Sequence, residues 1–311
     1  MIEAHVAADP RPALTGDLAL HRTLNAHFAA LLRPDLPDGL DGDAFAAIDD
    51  ARVERLVHAA RMAARAERFV AEERAQIAAL AAAAPDDADA FVAWFEALRE
   101  SGPGQGDPLF PWLAEEATLE ELRWFLRQEV AGEAGFEDLL ALTQVKIDGA
   151  AKLEMARNFW DEMGRGHASG MHGPMLSRLA AALGVVAPVE VITAESLALG
   201  NLMLTLATTR HYAFHSIGAL GVIELTAPGR SAYVNQALAR LGLGPHERQY
   251  FALHATLDKQ HSLAWNAEVL APLAAEDPRR CRAMAEGALL RLRAGARCFA
   301  RYRAELGVGV G

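Results

Sequence analysis

One stretch limits the possible folds more than any other: Pro245 to Ala274, PHERQYFALHATLDKQHSLAWNAEVLAPLA. Between Pro245 and Pro272 it contains neither glycine nor proline, so it predicts one long helix with Pro245 in the first turn. At 100° per residue, His254, Asp258 and His261 fall within about 60° of arc on one face. Tyr250, Phe251 and Trp265 lie close to the same stripe, which marks the face as buried. Two imidazoles and a carboxylate buried beside aromatic rings are costly unless each finds a partner. A divalent metal satisfies all three at once, because neutral imidazole and carboxylate both suit iron, zinc or manganese. The alternative is a core histidine pair held by hydrogen bonds to Asp258.

The rest of the chain points to an all-α protein. Of its 311 residues 52% are hydrophobic, rich in Ala and Leu, and spaced for helices with few Val, Ile or Thr runs. The net charge of −11 and the absence of basic clusters interleaved with aromatics argue against nucleic acid as a partner. There is no run of eighteen apolar residues and no N-terminal basic-then-apolar segment, so neither a membrane span nor a secretory signal is expected. Cys281 and Cys298 form neither a disulfide framework nor a zinc motif, and a reducing cytoplasm is the expected compartment.

The sequence predicts a single helical domain over 1–311. Residues 1–100 form N-terminal accessory helices and 110–306 a metal-binding bundle. Short helices are expected at 17–32 and 86–100, with a longer, interrupted one over 44–84. RPDLPDGLDGD (33–43) and SGPGQGDP (101–108) read as breaks. Thr118 and Glu121 make a capping box that opens a helix over 119–143. Glu129 projects from the middle of its apolar face, among Leu122, Phe125, Leu126 and Leu140, with Glu133 one turn later at the edge. An unpaired polar group in such surroundings costs roughly 2–7 kcal/mol. Glu129 is therefore protonated, paired with a cation or bound to a metal.

On a helix predicted over 146–163, Glu162 continues the apolar face at the C-terminal end. The helix dipole disfavours a carboxylate there, which calls for a local positive partner. The loop GRGHASG (164–170) then leads to His172 and a helix over 175–183; without a preceding strand or a GK[ST] it is no phosphate loop. One or two helices are expected over 193–225, with His211 and His215 on an apolar face beside a substrate pocket or a metal site, or alternatively as a buried pair. A short helix follows at 230–242, and Asp277-Pro278 opens the last, ending near Leu306.

These pieces together resemble the haem-oxygenase-like di-iron oxidases and oxygenases, the iron-containing redox enzymes. The resemblance rests on FLRQE (125–129), WDEMGRGHASGMH (160–172), the GALGVIE run (218–224) and HATLDKQH (254–261), and covers roughly 110–275. It implies a haem-oxygenase-like bundle of seven or eight helices holding two irons, with dioxygen as co-substrate and an external electron donor. The substrate is a small metabolite: an amine, amino acid or carboxylate that undergoes N-oxygenation or C–H/C–C oxidation. Carried over, Glu129, His172 and His261 serve one iron, and Glu162, His254 and Asp258 the other. Where some branches place a histidine on the helix of the first glutamate, Gly132 and Phe136 stand here, so His172 takes that role. Arg210 and Arg157 are candidates to hold a substrate carboxylate, against the ordinary use of an arginine in surface ion pairs. The resemblance leaves a homodimer open.

Three other readings remain at this stage. One is a metal-independent, thiaminase-like or quinone-forming member of the same fold, the former needing a placed cysteine nucleophile. The others are a non-catalytic metal carrier or sensor, and a helical interaction protein whose buried polar groups merely specify packing.

Overall fold

The computed structural model describes residues 16–34, 50–132 and 135–309, and Glu133 and most of the predicted 33–43 loop lie outside them. Among the described residues there is no strand, only an isolated antiparallel bridge between Met163 and Met171. No helix there is long and apolar enough to cross a membrane.

The N-terminal layer comprises α1 (Leu18–Leu32), α2 (Asp50–Ala81) and α3 (Ala88–Ser101). Asp17 caps α1 by accepting from the Leu20 amide, and Asp87 caps α3 in the same way from Ala90. Over its described length α2 is a single uninterrupted helix, where the sequence predicts interruptions. It buries a stripe only from Met62 onward, with Met62, Ala66, Phe69, Val70 and Ile77 at helical spacing.

The remaining elements are α4 (Leu109–Glu115), α5 (Leu119–Gly132), α6 (Phe136–Thr143), α7 (Gly149–Glu162), α8 (His172–Leu183), α9 (Ala194–Thr208), α10 (Ala213–Arg240), α11 (Gln249–Trp265), α12 (Ala271–Glu276) and α13 (Arg279–Leu306). Every residue of α9 from Ser196 to Ala207 is buried, so it forms the hydrophobic axis. α10 packs along α11 and α13. The α10–α13 approach needs glycine on both sides. A Cβ on Gly218 would lie 1.9 Å from the Met284 carbonyl oxygen, and one on Gly287 1.8 Å from that of His215. The N-terminal layer is tied to the bundle by Arg74 on Glu286, by Arg297 on Glu73, and by Asn201 donating to the His21 carbonyl.

Three boundaries differ from the sequence expectation. The predicted 119–143 helix is two helices, because the chain turns at Gly135 with φ 72° and Gly132 seats against the Ser196 carbonyl. The capping box at its start forms as predicted: Thr118 N–H donates to Glu121 and the Glu121 amide to Thr118 Oγ1. In contrast, the predicted stop at 225 is absent, and α10 runs through Pro228 to Arg240. The predicted 245–274 helix begins at Gln249 and passes through a π-helical turn, Asn266–Leu270, before α12.

Candidate metal centre

Two groups of ligand-type side chains meet in the bundle, and Glu162 belongs to both. Glu162, His172 and His254 form one; Glu162, Glu224 and His261 form the other. Within each group one ligand atom per residue lies within 4.8 Å of the rest. Four helices supply them: α7 carries Glu162, α8 His172, α10 Glu224, and α11 both His254 and His261.

Local structure explains the convergence. The Met163–Met171 bridge closes the loop between α7 and α8, so Glu162 and His172, its outer neighbours, are brought side by side. That closure requires Gly164, with φ 60°, whose Cβ would fall 2.4 Å from the Gly170 carbonyl carbon. On α10, Pro228 has no amide to donate to the Glu224 carbonyl, so the helical ladder lapses one turn beyond this residue. On α11, His254 and His261 share one face, as the spacing predicts.

The hydrogen bonds leave one ring nitrogen of each α11 histidine facing the group. The His254 Nδ1 lies 2.8 Å from the Tyr250 carbonyl, which as acceptor requires a proton there and leaves Nε2 with its lone pair. His261 Nε2 lies 3.0 Å from Asp161 Oδ2, leaving Nδ1 for the cluster, 3.4 Å from Glu224 Oε2. Asn158 donates to the other Glu224 oxygen at 2.7 Å. Between Glu162 Oε2 and His172 Nδ1 the distance is 2.6 Å, yet His172 Nδ1 has no hydrogen-bond partner. His261 Nδ1 is in the same situation. Buried nitrogens that touch carboxylates without hydrogen-bonding to them are the arrangement expected of ligands aimed at a common third point. These donors fit metal ions.

Charge in the centre is finely set. Burial, then the neighbouring Glu224, raises the Glu162 pKa well above the usual carboxylate range. Burial lowers His172 to about 4, with His261 adding to the effect, and lowers His254 to about 4, with His172 adding. Both are neutral and ready to ligate. For His261 burial acts downward, but Glu224 and Asp161 outweigh it and raise the pKa to about 9. A proton on His261 thus holds the place of a metal cation between these carboxylates.

Glu129 and Asp258 belong to neither group. Both line a cavity of about 100 Å³ together with Glu162, Glu224 and His254. Asp258 Oδ1 is 4.0 Å from His261 Nδ1. Burial raises the pKa of Glu129, with Arg291 and Arg230 opposing. The structure therefore groups the side chains differently from the sequence pairing: His172 stands with His254 rather than His261, and Glu162 is common to both groups.

The expected placement of His211, His215, Arg210 and Arg157 beside the site needs correction. The His211 side chain is 60% exposed, with Glu67 as its neighbour at 3.5 Å. His215 is buried but belongs to an ion-pair knot in which Glu286 takes His215, Arg74 and Arg282. Neither histidine lines the cavity, because the face they occupy packs toward α13 and the N-terminal layer. Arg210 donates to the carbonyls of Leu142 and Val145, closing the C-terminal end of α6. Arg157 is exposed and pairs with Glu154. The guanidinium groups that do line the cavity are Arg230 and Arg291.

Sequence reasoning missed Glu224 as a candidate ligand, Asn158 as its hydrogen-bond donor and Asp161 as the support of His261. The signal for Glu224 was present: it is the sole Asp, Glu, Lys or Arg between Arg210 and Arg230, in an otherwise apolar run.

Fold and site define an all-helical protein with buried carboxylate–histidine clusters that could hold metal ions. Residues 123–296, more than half of the chain, match the family described as iron-containing redox enzymes; the chain belongs to that family and has its haem-oxygenase-like fold. Membership supports an oxidoreductase-type function and implies iron as the metal. Compared with curated proteins, the chain matches none.

Proposed function

We propose that the protein is a non-haem di-iron enzyme that activates dioxygen to oxidise a small metabolite, drawing electrons from an external donor in a reducing cytoplasm. The observation that carries this reading is the sharing of Glu162 between two three-residue groups, the arrangement that suits a carboxylate bridging two ions. His172 and His254 would hold one iron, His261 and Glu224 the other, with Glu129 and Asp258 within the same cavity. Ferrous iron bound there supplies coordination positions and electrons for dioxygen activation.

The chain's own contribution is order and dryness. Asp161 and the Tyr250 carbonyl fix the ring orientation of His261 and His254, and Asn158 fixes Glu224, so the donors are set before metal arrives. Phe110, Phe125 and Phe299 line the far wall of the cavity and exclude water from the reacting end of a substrate. On the outer side an open vestibule of about 530 Å³ reaches Glu162 and His172 and offers a route inward. Four acidic side chains, Glu129, Glu162, Glu224 and Asp258, match the charge of two ferrous ions, which relieves the cost of burying them.

The thiol chemistry of a thiaminase-like relative finds no support. Burial pushes the Cys298 thiol up to about 12 and also raises Cys281, so neither offers a thiolate. Both cysteines are free and buried, in keeping with a reducing compartment.

The test is anaerobic titration with ferrous iron followed by exposure to air. The expected result is two equivalents bound per chain and a transient visible absorption on oxygenation. Binding of a single equivalent, or slow oxidation without a transient, would overturn the di-iron reading.

A further inference from the structure

Glu162 and His172 are each 2% exposed, so a hydrated ion reaches them only through an opening. Two chambers adjoin the inner cavity. The vestibule of about 530 Å³ shares Val130, Phe136, Glu162, Leu176 and Tyr250 with it, and a pocket of about 440 Å³ shares Phe110 and Arg230. The two differ in charge. Two acidic side chains, Glu137 and Glu162, line the vestibule, and no lysine or arginine does so among the described residues. The other pocket sets Arg99, Arg230 and Lys259 beside Glu100 and Asp107, so a cation passing through it meets guanidinium and ammonium groups. In a narrow passage with low-dielectric walls, carboxylates concentrate a cation and like charges hold it off.

The vestibule also leads where the ion is needed. Glu162 and His172 both line it, and both belong to the group completed by His254. Glu137 lies beside them. Gly173, which follows His172 in α8, leaves room for its carboxylate, since a Cβ there would fall 2.4 Å from Glu137 Oε1. From this place the Glu137 charge acts on both His172 and Glu162. Farther in, the side chains shared with the cavity are apolar except for Tyr250 and Glu162, so Glu162 is the one carboxyl group at the junction.

We propose that the vestibule is the entry port for the metal ion, where Glu137 draws the hydrated cation in and Glu162 receives it at the junction with the cavity. The inference rests on the reading of the cluster as an iron site and adds the route by which that site fills. Glu137 stands outside both ligand groups, so it governs how fast the ion arrives. Glu162 replaces water on the ion as the passage turns apolar.

Ser177 offers a place to obstruct the port. It is exposed, lines the vestibule, and lies one turn beyond Gly173 in α8, so Ser177→Phe narrows the passage without touching the core. The experiment is stopped-flow mixing of the metal-free protein with ferrous sulfate under anaerobic conditions, read by tryptophan fluorescence, together with release of bound iron to a chelator. An obstacle on the path raises the barrier equally in both directions. Ser177→Phe should therefore slow uptake and release alike and leave the equilibrium affinity as it was. Glu137→Gln should slow uptake by about three- to tenfold at low ionic strength, and by less as added salt screens the charge. Glu100→Gln removes the same charge from the other pocket and should leave uptake unchanged. Undiminished uptake in either vestibule variant, equal slowing by Glu100→Gln, or a Ser177→Phe protein altered in affinity but not in rate overturns the port. The same runs count the ions bound. Two equivalents taken up at rates indifferent to these changes overturn the port alone, one equivalent taken up at rates that obey them overturns only the di-iron reading, and no uptake by the unaltered protein overturns both.

Discussion

Asp161 should control the affinity of one metal position and leave the other alone. Its Oδ2 lies 3.0 Å from His261 Nε2, and it is the only recorded hydrogen-bond partner of that nitrogen among the described residues. Removing it in Asp161→Ala frees the ring to rotate and to take the other tautomer, so Nδ1 is no longer held toward Glu224. A hydrogen bond with a charged partner contributes about 1.5–3 kcal/mol, which corresponds to about 10–100-fold in metal affinity. The loss should fall on the group of Glu162, Glu224 and His261, because in the other group His254 is oriented by the Tyr250 carbonyl and not by Asp161. Anaerobic ferrous titration against a competing chelator resolves two stepwise constants, and only one should weaken. Asp161 also pairs with Arg165, an exposed residue at φ 52°. Arg165→Asn, which tolerates that backbone conformation, serves as the control and should leave both constants unchanged. An Asp161→Ala protein whose two constants fall equally, or change less than threefold, would refute the reasoning.

Two further outcomes follow from the charges. Glu162→Gln should abolish binding of both irons yet raise the stability of the metal-free protein by about 2 kcal/mol, since it removes a buried carboxyl destabilised by burial and by Glu224; thermal melts in chelator, with and without iron, check it. The metal-free protein should lose stability on the alkaline side of pH 6.5. His261, raised to about 9, contributes stability that is present below 6.5 and lost as pH rises toward 9, roughly 3 kcal/mol at most, and Glu162, raised well above the carboxylate range, loses stability in the same direction; below 6.5 the protonation of His172 and His254, lowered to about 4, and that of Glu162 act in opposite senses. Unfolding midpoints should fall between pH 6.5 and 9, and His261→Asn should flatten that fall; a level profile over this range in the unaltered protein would contradict the assignment.

Much of this was legible in the sequence, and the gaps have physical causes. Periodicity reveals what shares a helix face, which is why His254, Asp258 and His261 were found together and why α13 was drawn nearly to length. It says nothing about which face meets which, and the pairing of ligands into groups therefore differed: His172 meets His254 because the α7–α8 loop folds back, a tertiary fact. Asp161 was passed over because it adjoins Glu162 in sequence. The 100° between them sends one carboxylate into the centre and the other behind His261, and both roles are needed. His211 and His215 were misplaced because an apolar helix face marks burial without saying what lies opposite; for His215 it is Glu286 on α13. Arg230 and Arg291 gave no local signal, since each sits at a spacing ordinary for a solvated arginine.

The irregularities of the helices cluster around the candidate site residues. Glu129 precedes the Gly132–Gly135 break by one turn, Glu162 and His172 flank the two short turns of the 164–170 loop, Glu224 lies four residues before Pro228, and His261 lies five before the π turn at Asn266. Each departs from what helix propensity alone favours. A regular helix presents side chains along one straight stripe, and seven polar groups on five straight helices would not reach a common region without leaving gaps beside it. A break or extra residue near each ligand lets the backbone turn the side chain inward while the rest of the helix keeps its packing against α9 and α13. The sequence rules are thus violated where the chemistry requires convergence, and obeyed in the surrounding elements that hold those violations in place.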